Sequence, residues 1–368
     1  MRFARFLYWG LMTASVLSRA LAQEVTITQL RSFLLDQHKA KSPDNETAHH
    51  LNSVSLTERL TDQALNRMIN ETMPGPESVE QLRLLADASI FAALPSREGP
   101  IFPAPESGAQ EAMLRAGAEY AHTSLQRLPD FLAIRDTRRF DNTPQASGSR
   151  HTKPKIQLHW TGEFKEQITY SDGAEIAGDS GGKQTTSAET MMHPGLLSVG
   201  EFGPILSVVF SDSAQGGLRW ARWEMDSVVG RLAVFRYTVP KSRSHYLVDF
   251  CCYTRPDDET QEFPFRDHPA YHGEVALSSD SGIVRRITIQ ADLESSAPIL
   301  TSGLAVQYGE VEIGARAYIC PVRSIAMTTL HNHKMERIDG IGIERHLNEI
   351  EYLDYHKFGS TSRMVPND

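Results

Sequence analysis

The histidines are the residues of this chain best suited to chemistry, and their spacing limits what they can do. His331 and His333 form an H-x-H pair, which could ligate a metal from one face of a strand, with Glu344 or His346 as further donors nearby in sequence. The letters His331-Asn332-His333 also spell a nuclease motif, but the longer ββα-metal unit that such a motif needs is lacking. The expectation is a solvated loop and no metal. His268 and His272 have i, i+4 spacing, which serves a metal on a helix, yet Pro269 lies between them and His272 heads a strand-like segment. His245 follows a basic loop and reads as structural. Ser-His-Asp triads assemble from distant positions, so spacing does not test them. No G-x-S-x-G elbow and no H-E-x-x-H pattern occur. Glu310 and Glu312 share a strand face, where solvation accounts for both. No catalytic residue, metal or cofactor is assigned.

The three cysteines are Cys251, Cys252 and Cys320. A bond between neighbours is strained, so Cys320 is expected to pair with Cys252 or with Cys251. Aromatic side chains are the remaining candidates. Phe210, Trp220, Trp223, Phe235, Tyr237 and Tyr246 could line an apolar ligand groove, although aromatics at strand spacing also build ordinary core.

The elements that must position these residues follow from hydrophobic period. From Gln23 to about Leu128 the period is helical. Leu30, Phe33 and Leu34 mark one helix, and Leu65, Met68 and Ile69 a second. A third starts at Pro76, with Ser78 and Gln81 at capping-box spacing. Met113, Ala116, Tyr120 and Leu128 suggest a fourth, with Gly117 inside it. His49 and His50 fall in a polar loop. From residue 129 onward the period is two. Phe131 to Phe140 is one strand, Ile168 to Ile176 a hairpin about Asp172-Gly173, and Gly230 to Thr329 a ladder of antiparallel strands that includes SHYLVDFCC. Gly314-Ala315 is the pair of a type II′ turn, and a parity switch at Gly309 implies a bulge. Within this half, Ile205, Leu206, Val208, Val209 and Phe210 recur at helical spacing between Pro204 and Gly216, giving an apolar helix near 204–214.

Residues 1–22 read as a signal peptide: Arg2 and Arg5, an apolar run, then Ala20-Leu21-Ala22. Cleavage would make the protein exported, periplasmic or extracellular, without a transmembrane segment. Loss of three arginines and no acids takes the formal net charge from −9 to −12. That acidity argues against nucleic acid and against anionic membrane surfaces.

The segments SLTERLTD, PGPESVEQLRLLADASIF, YSDGAEI, GEFGPIL, VFRYTVP followed by SHYLVDFCC, AYHGEVAL and VQYGEVEIGARAYICPVRS resemble landmark segments of a family of exported bacterial proteins without an assigned activity. The resemblance spans nearly the whole chain after residue 22 and implies no catalytic residues. The C-terminal half is also similar to the half-barrel of lipoprotein carriers and periplasmic lipid sensors. That similarity implies a curved sheet with helices across a concave face that takes acyl chains. The expected fold is therefore α+β: a helical region over residues 23–128, and over 129–368 one large curved, half-barrel-like antiparallel sheet with an inserted helix. The expected function is non-catalytic binding of a lipid or lipidated partner in the concavity, or else protein–protein contact in the cell envelope. A hydrolase with an unrecognised site trails both.

Overall fold

The computed structural model describes residues 23–95, 102–143, 157–171, 173–178, 195–196, 201–202, 204–214, 217–340 and 342–357. The signal-peptide assignment and Asp172 lie outside them. The fold is α+β, organised on an open, curved sheet of ten strands. In spatial order these are β5 (Ala174–Gly178), β4 (His159–Ser171), β3 (Phe131–Asp141), β15 (Ile343–Lys357), β14 (Arg316–His331), β13 (Ile299–Ile313), β12 (Val284–Asp292), β11 (Ala270–Ser278), β8 (Gly230–Val239) and β7 (Arg219–Asp226). Every pairing in it is antiparallel. The β4–β5 hairpin has the expected register, and Gly314, at φ 67°, makes the two-residue turn between β13 and β14. The expected bulge is present beside Gly309: register slips between Gln307 and Tyr308, and the extra residue is Val322 on β14.

Alternation divides the sheet into two unlike faces. On one face Phe235, Tyr237, Val275, Leu277, Leu304 and Val306 form a buried cluster covered by α5 (Ser107–Arg127) and α6 (Pro204–Ser213). A second cluster on that face gathers Phe131, Tyr170, Phe202, Cys320 and Tyr352. Arg222, Arg236, Glu274, Arg286, Arg323 and Glu349 stand on the other face, among small apolar patches. Here the N-terminal helices dock. They are α1 (Ile27–Ala40), α2 (Asp44–Leu51), α3 (Asp62–Thr72) and α4 (Pro76–Ala88), with a core of their own from Leu30, Leu34, Leu51, Met68 and Leu82. The short parallel pair β1 (Gln23–Val25) and β2 (Val54–Leu56) ties their ends. Phe91, just past α4, sits over Gly303; a Cβ there would fall 2.8 Å from the ring, so the glycine makes its seat.

Several expectations are corrected. SHYLVDFCC is not in the main ladder. Its strand β9 (Val248–Arg255) joins β10 (Asp258–Asp267) and β6 (Gly195–Leu196) in a separate small sheet. The polar loop at His49 and His50 is helix α2, with the His50 ring stacked on Phe33 at 4.3 Å. Ser78 and Gln81 form no capping box. Asp44 of α2 instead accepts from the Glu77 and Ser78 amides at 2.9 and 3.1 Å, capping α4 from outside. Cys320 is a free, buried thiol and not half of a disulfide, while the sulfurs of Cys251 and Cys252 lie too close together for one.

Candidate functional site

The six aromatic candidates fall together on the face shared by α5 and α6. Phe210, Trp223, Phe235, Tyr237 and Tyr246 are buried, and Trp220 packs edge-on against Trp223 and Phe235 at centroid distances of 4.8 and 5.5 Å. Trp223 Nε1 donates to the Pro103 carbonyl at 2.9 Å, and the Tyr237 hydroxyl to the Thr288 carbonyl at 2.6 Å. Ile205, Leu206, Val209 and Phe210 of α6 complete the same cluster with Val239 and Val248. The helix is also pinned by a polar group. Asp212, 4% exposed, accepts from the His245 amide (2.9 Å), the His245 ring Nδ1 (2.6 Å) and the Tyr271 hydroxyl (2.8 Å). These bonds satisfy a carboxylate that would otherwise be costly to bury. Sequence spacing could not join Asp212 to His245, because the bond crosses from the helix to a loop.

Farther along the same face, Arg135 lies under the Tyr352 ring and is shared by three carboxylates. Its guanidinium meets Glu166 at 3.1 Å, Glu175 more closely, and Glu201 at 3.6 Å. Burial pushes the Glu201 carboxyl up to about 7, outweighing the pull of Arg135. Together with the Tyr308 hydroxyl bonded to the Glu201 carbonyl at 3.1 Å, this group holds the segment leading into α6.

Four cavities among the described residues lie beside the N-terminal helices. Of the six aromatics, Tyr237 lines one of these four cavities, and Phe210, Trp220, Trp223, Phe235 and Tyr246 line none of them. A cleft of about 620 Å³ between α4 and β3–β4 is walled by Pro74, Pro76, Phe140, Leu158 and the half-exposed Trp160. A second, of about 360 Å³, opens between the Ile90–Leu94 segment and β8, β11 and β12. Its charged lining is Arg59, Arg222, Arg236 and Glu274, with His272 at the edge.

This second cavity has an unbalanced charge network. Arg222 bonds Glu274 through two nitrogens, at 2.6 and 2.5 Å, and also bonds Glu224. Arg236 reaches Glu274 at 3.0 Å, and Arg286 reaches Glu224 at 2.6 Å. Those bonds use both carboxylates. Arg59, 8% exposed, is left with Glu224 at 3.8 Å, which is an ion pair but not a hydrogen bond. Burial, with repulsion from Arg286, drops the Arg59 guanidinium to about 10. Burial would raise Glu224, but Arg286, Arg59 and Arg222 outweigh it and hold the carboxyl at about 2. Asp62 and Asp226 line a smaller cavity on the far side of Arg59, where Asp226 accepts the Val228 and Val229 amides. Four guanidinium groups thus meet two carboxylates: Arg59, Arg222, Arg236 and Glu274 line the larger of the two cavities, and Arg59, Glu224 and Arg286 the smaller. Sequence reasoning missed every member, because the network joins a loop after β2 to four strands more than 150 residues away.

Among the described residues no helix is long and apolar enough to cross a membrane. Comparison with protein-family models, with curated proteins and with solved structures finds no match to this chain.

Proposed function

We propose that the protein is a non-catalytic ligand-binding protein whose site is the cavity between the Ile90–Leu94 segment and the sheet, and whose ligand carries a carboxylate or phosphate group. The observation that carries this reading is Arg59: a guanidinium 8% exposed, facing the cavity, with no hydrogen bond from its side chain among the described residues. A buried charge without good hydrogen bonds is costly, and a small anion would supply them. Arg222 and Arg236 add positive charge to the same wall. An apolar ligand on the aromatic face has less support, since the six aromatics pack against one another and against a pinned helix.

Thermal unfolding in phosphate against chloride at equal ionic strength tests the proposal. A bound anion stabilises by RT ln(1 + [L]/Kd), about 2.7 kcal/mol at a hundredfold excess over Kd. Wild-type protein should melt higher in phosphate, and Arg59→Met should lose that gain. Arg236→Gln, at an exposed residue that leaves the fold undisturbed, should reduce it. Equal melting in both salts for wild-type protein would overturn the reading and leave the network as an interlayer ion-pair contact.

A further inference from the structure

We propose that His331, His333 and Glu336 form a binding site for a divalent first-row transition-metal ion. The donor atoms of the three side chains lie within 4.8 Å of one another. Glu336 Oε2 is 3.6 Å from His331 Nε2 and 3.3 Å from His333 Nδ1. Ligand bonds of about 2.0–2.2 Å in a tetrahedral site place donors about 3.3 Å apart. Two of the separations are already near that value, and the third closes with a shift of at most about 1.5 Å by partly exposed rings.

Local structure explains why the three converge. Residues 331–336 are not a loop: β14 ends at His331, and α7 (His333–Asp339) begins two residues later. Asn332 between them is the helix N-cap. Its Oδ1 accepts from the Lys334 and Met335 amides at 2.9 and 3.2 Å, and its own amide donates to the Gly342 carbonyl at 2.7 Å. Its Nδ2 donates to Glu344. The cap fixes the turn that brings the two rings to a centroid distance of 4.5 Å, nearly edge to face. The helix then returns Glu336, one turn on from His333, to the same side. Glu344 and His346, the donors suggested by sequence proximity, bond each other at 2.8 Å, and Glu344 also accepts from Asn332. Two imidazoles and one carboxylate suit zinc, iron(II) or cobalt(II) rather than calcium or magnesium, and three protein donors leave a coordination position for water.

The test is titration of the full chain, after chelator treatment, with cobalt(II) followed by competition with zinc. One equivalent of cobalt should bind with visible d–d bands, and zinc should displace it. His331→Ala, His333→Ala and Glu336→Gln should each weaken cobalt binding about tenfold or more. All three sites are partly or fully exposed, so circular dichroism should match wild type. His49→Ala with His50→Ala, a histidine pair on α2, should leave binding unchanged. No stoichiometric cobalt binding, or binding untouched by the three changes, would overturn the site. Glu336 would then only accept the two imidazole N–H groups.

Discussion

Replacing Phe210 by alanine separates a helix that packs firmly on the aromatic face from one that gates it. The Phe210 side chain is 8% exposed, and its ring faces α5 at Gly117, where a Cβ would come within 3.4 Å of Cζ and 2.9 Å of Leu277. The space left by truncation cannot close easily. Asp212, two residues on, holds the helix end to Tyr271 and His245 by three hydrogen bonds. The loss should therefore sit in the range of roughly 3–5 kcal/mol measured for Phe→Ala in cores, transfer and cavity together. For a chain of this size that is a fall of roughly 5 °C in Tm. Urea unfolding followed by circular dichroism should give a lower midpoint at unchanged m, and a fluorescent fatty acid should bind neither protein. A loss below about 1 kcal/mol, accompanied by fatty-acid uptake that the substitution changes, would refute the packing argument and restore the carrier expectation.

Two further outcomes follow from buried titrating groups. Asp87 is 2% exposed and its carboxyl is pushed up to about 7, by burial and then by Glu349, against the pull of Arg323 at 2.6 Å. A carboxyl raised in the fold contributes stability that is complete below about pH 4 and lost as pH rises through about 7. Wild type should thus lose more stability than Asp87→Asn between pH 5 and pH 8, by on the order of a few kcal/mol; parallel curves for the two proteins would defeat the assignment. The Cys320 thiol is fully buried and pushed up to about 12 by that burial. A maleimide at pH 7 should leave it unmodified in native protein and label it in denaturant, and recovery of Cys320 in a disulfide-linked peptide would contradict its free state.

Much of the sheet is legible in the sequence because its evidence is local. Ile287 and Ile289 alternate with Arg286 and Thr288, and the Gly314 turn and the parity switch near Gly309 each mark a feature that the structure contains. The inserted helix was legible for the same reason: five apolar residues at helical spacing between a proline and a glycine. Other features depended on contacts that no spacing reveals. α2 is short, and its main polar duty is to cap another helix through Asp44. Gly117 counts against a helix by propensity, yet it is where α5 approaches Phe210 and Leu277 most closely. The strand β9 has the composition of a main-sheet strand and pairs instead with a partly charged neighbour, β10.

The same limit explains why the aromatics and the charged cavity lie on opposite faces of the sheet, with Tyr237 alone of the six reaching the cavity's lining. A period-two pattern announces its apolar face, and that face is where α5 and α6 are packed. The alternate residues, Arg222, Glu224, Arg236, Glu274 and Arg286, read as a solvated surface because charged strand residues usually are. All of them but the exposed Arg236 are instead covered by the N-terminal helices and the Ile90–Leu94 segment, which bring Arg59 and Asp87 into contact with the sheet. Covering a charged face requires pairing, and pairing there is incomplete around Arg59 while it is complete around Arg323, which holds Asp87 and Glu349 together. Two ionic contacts made by the same helical layer thus differ in one respect, the number of carboxylates that reach the arginine. That difference, and not the size of either cavity, is what makes the space beside Arg59 the place where an outside anion has most to contribute.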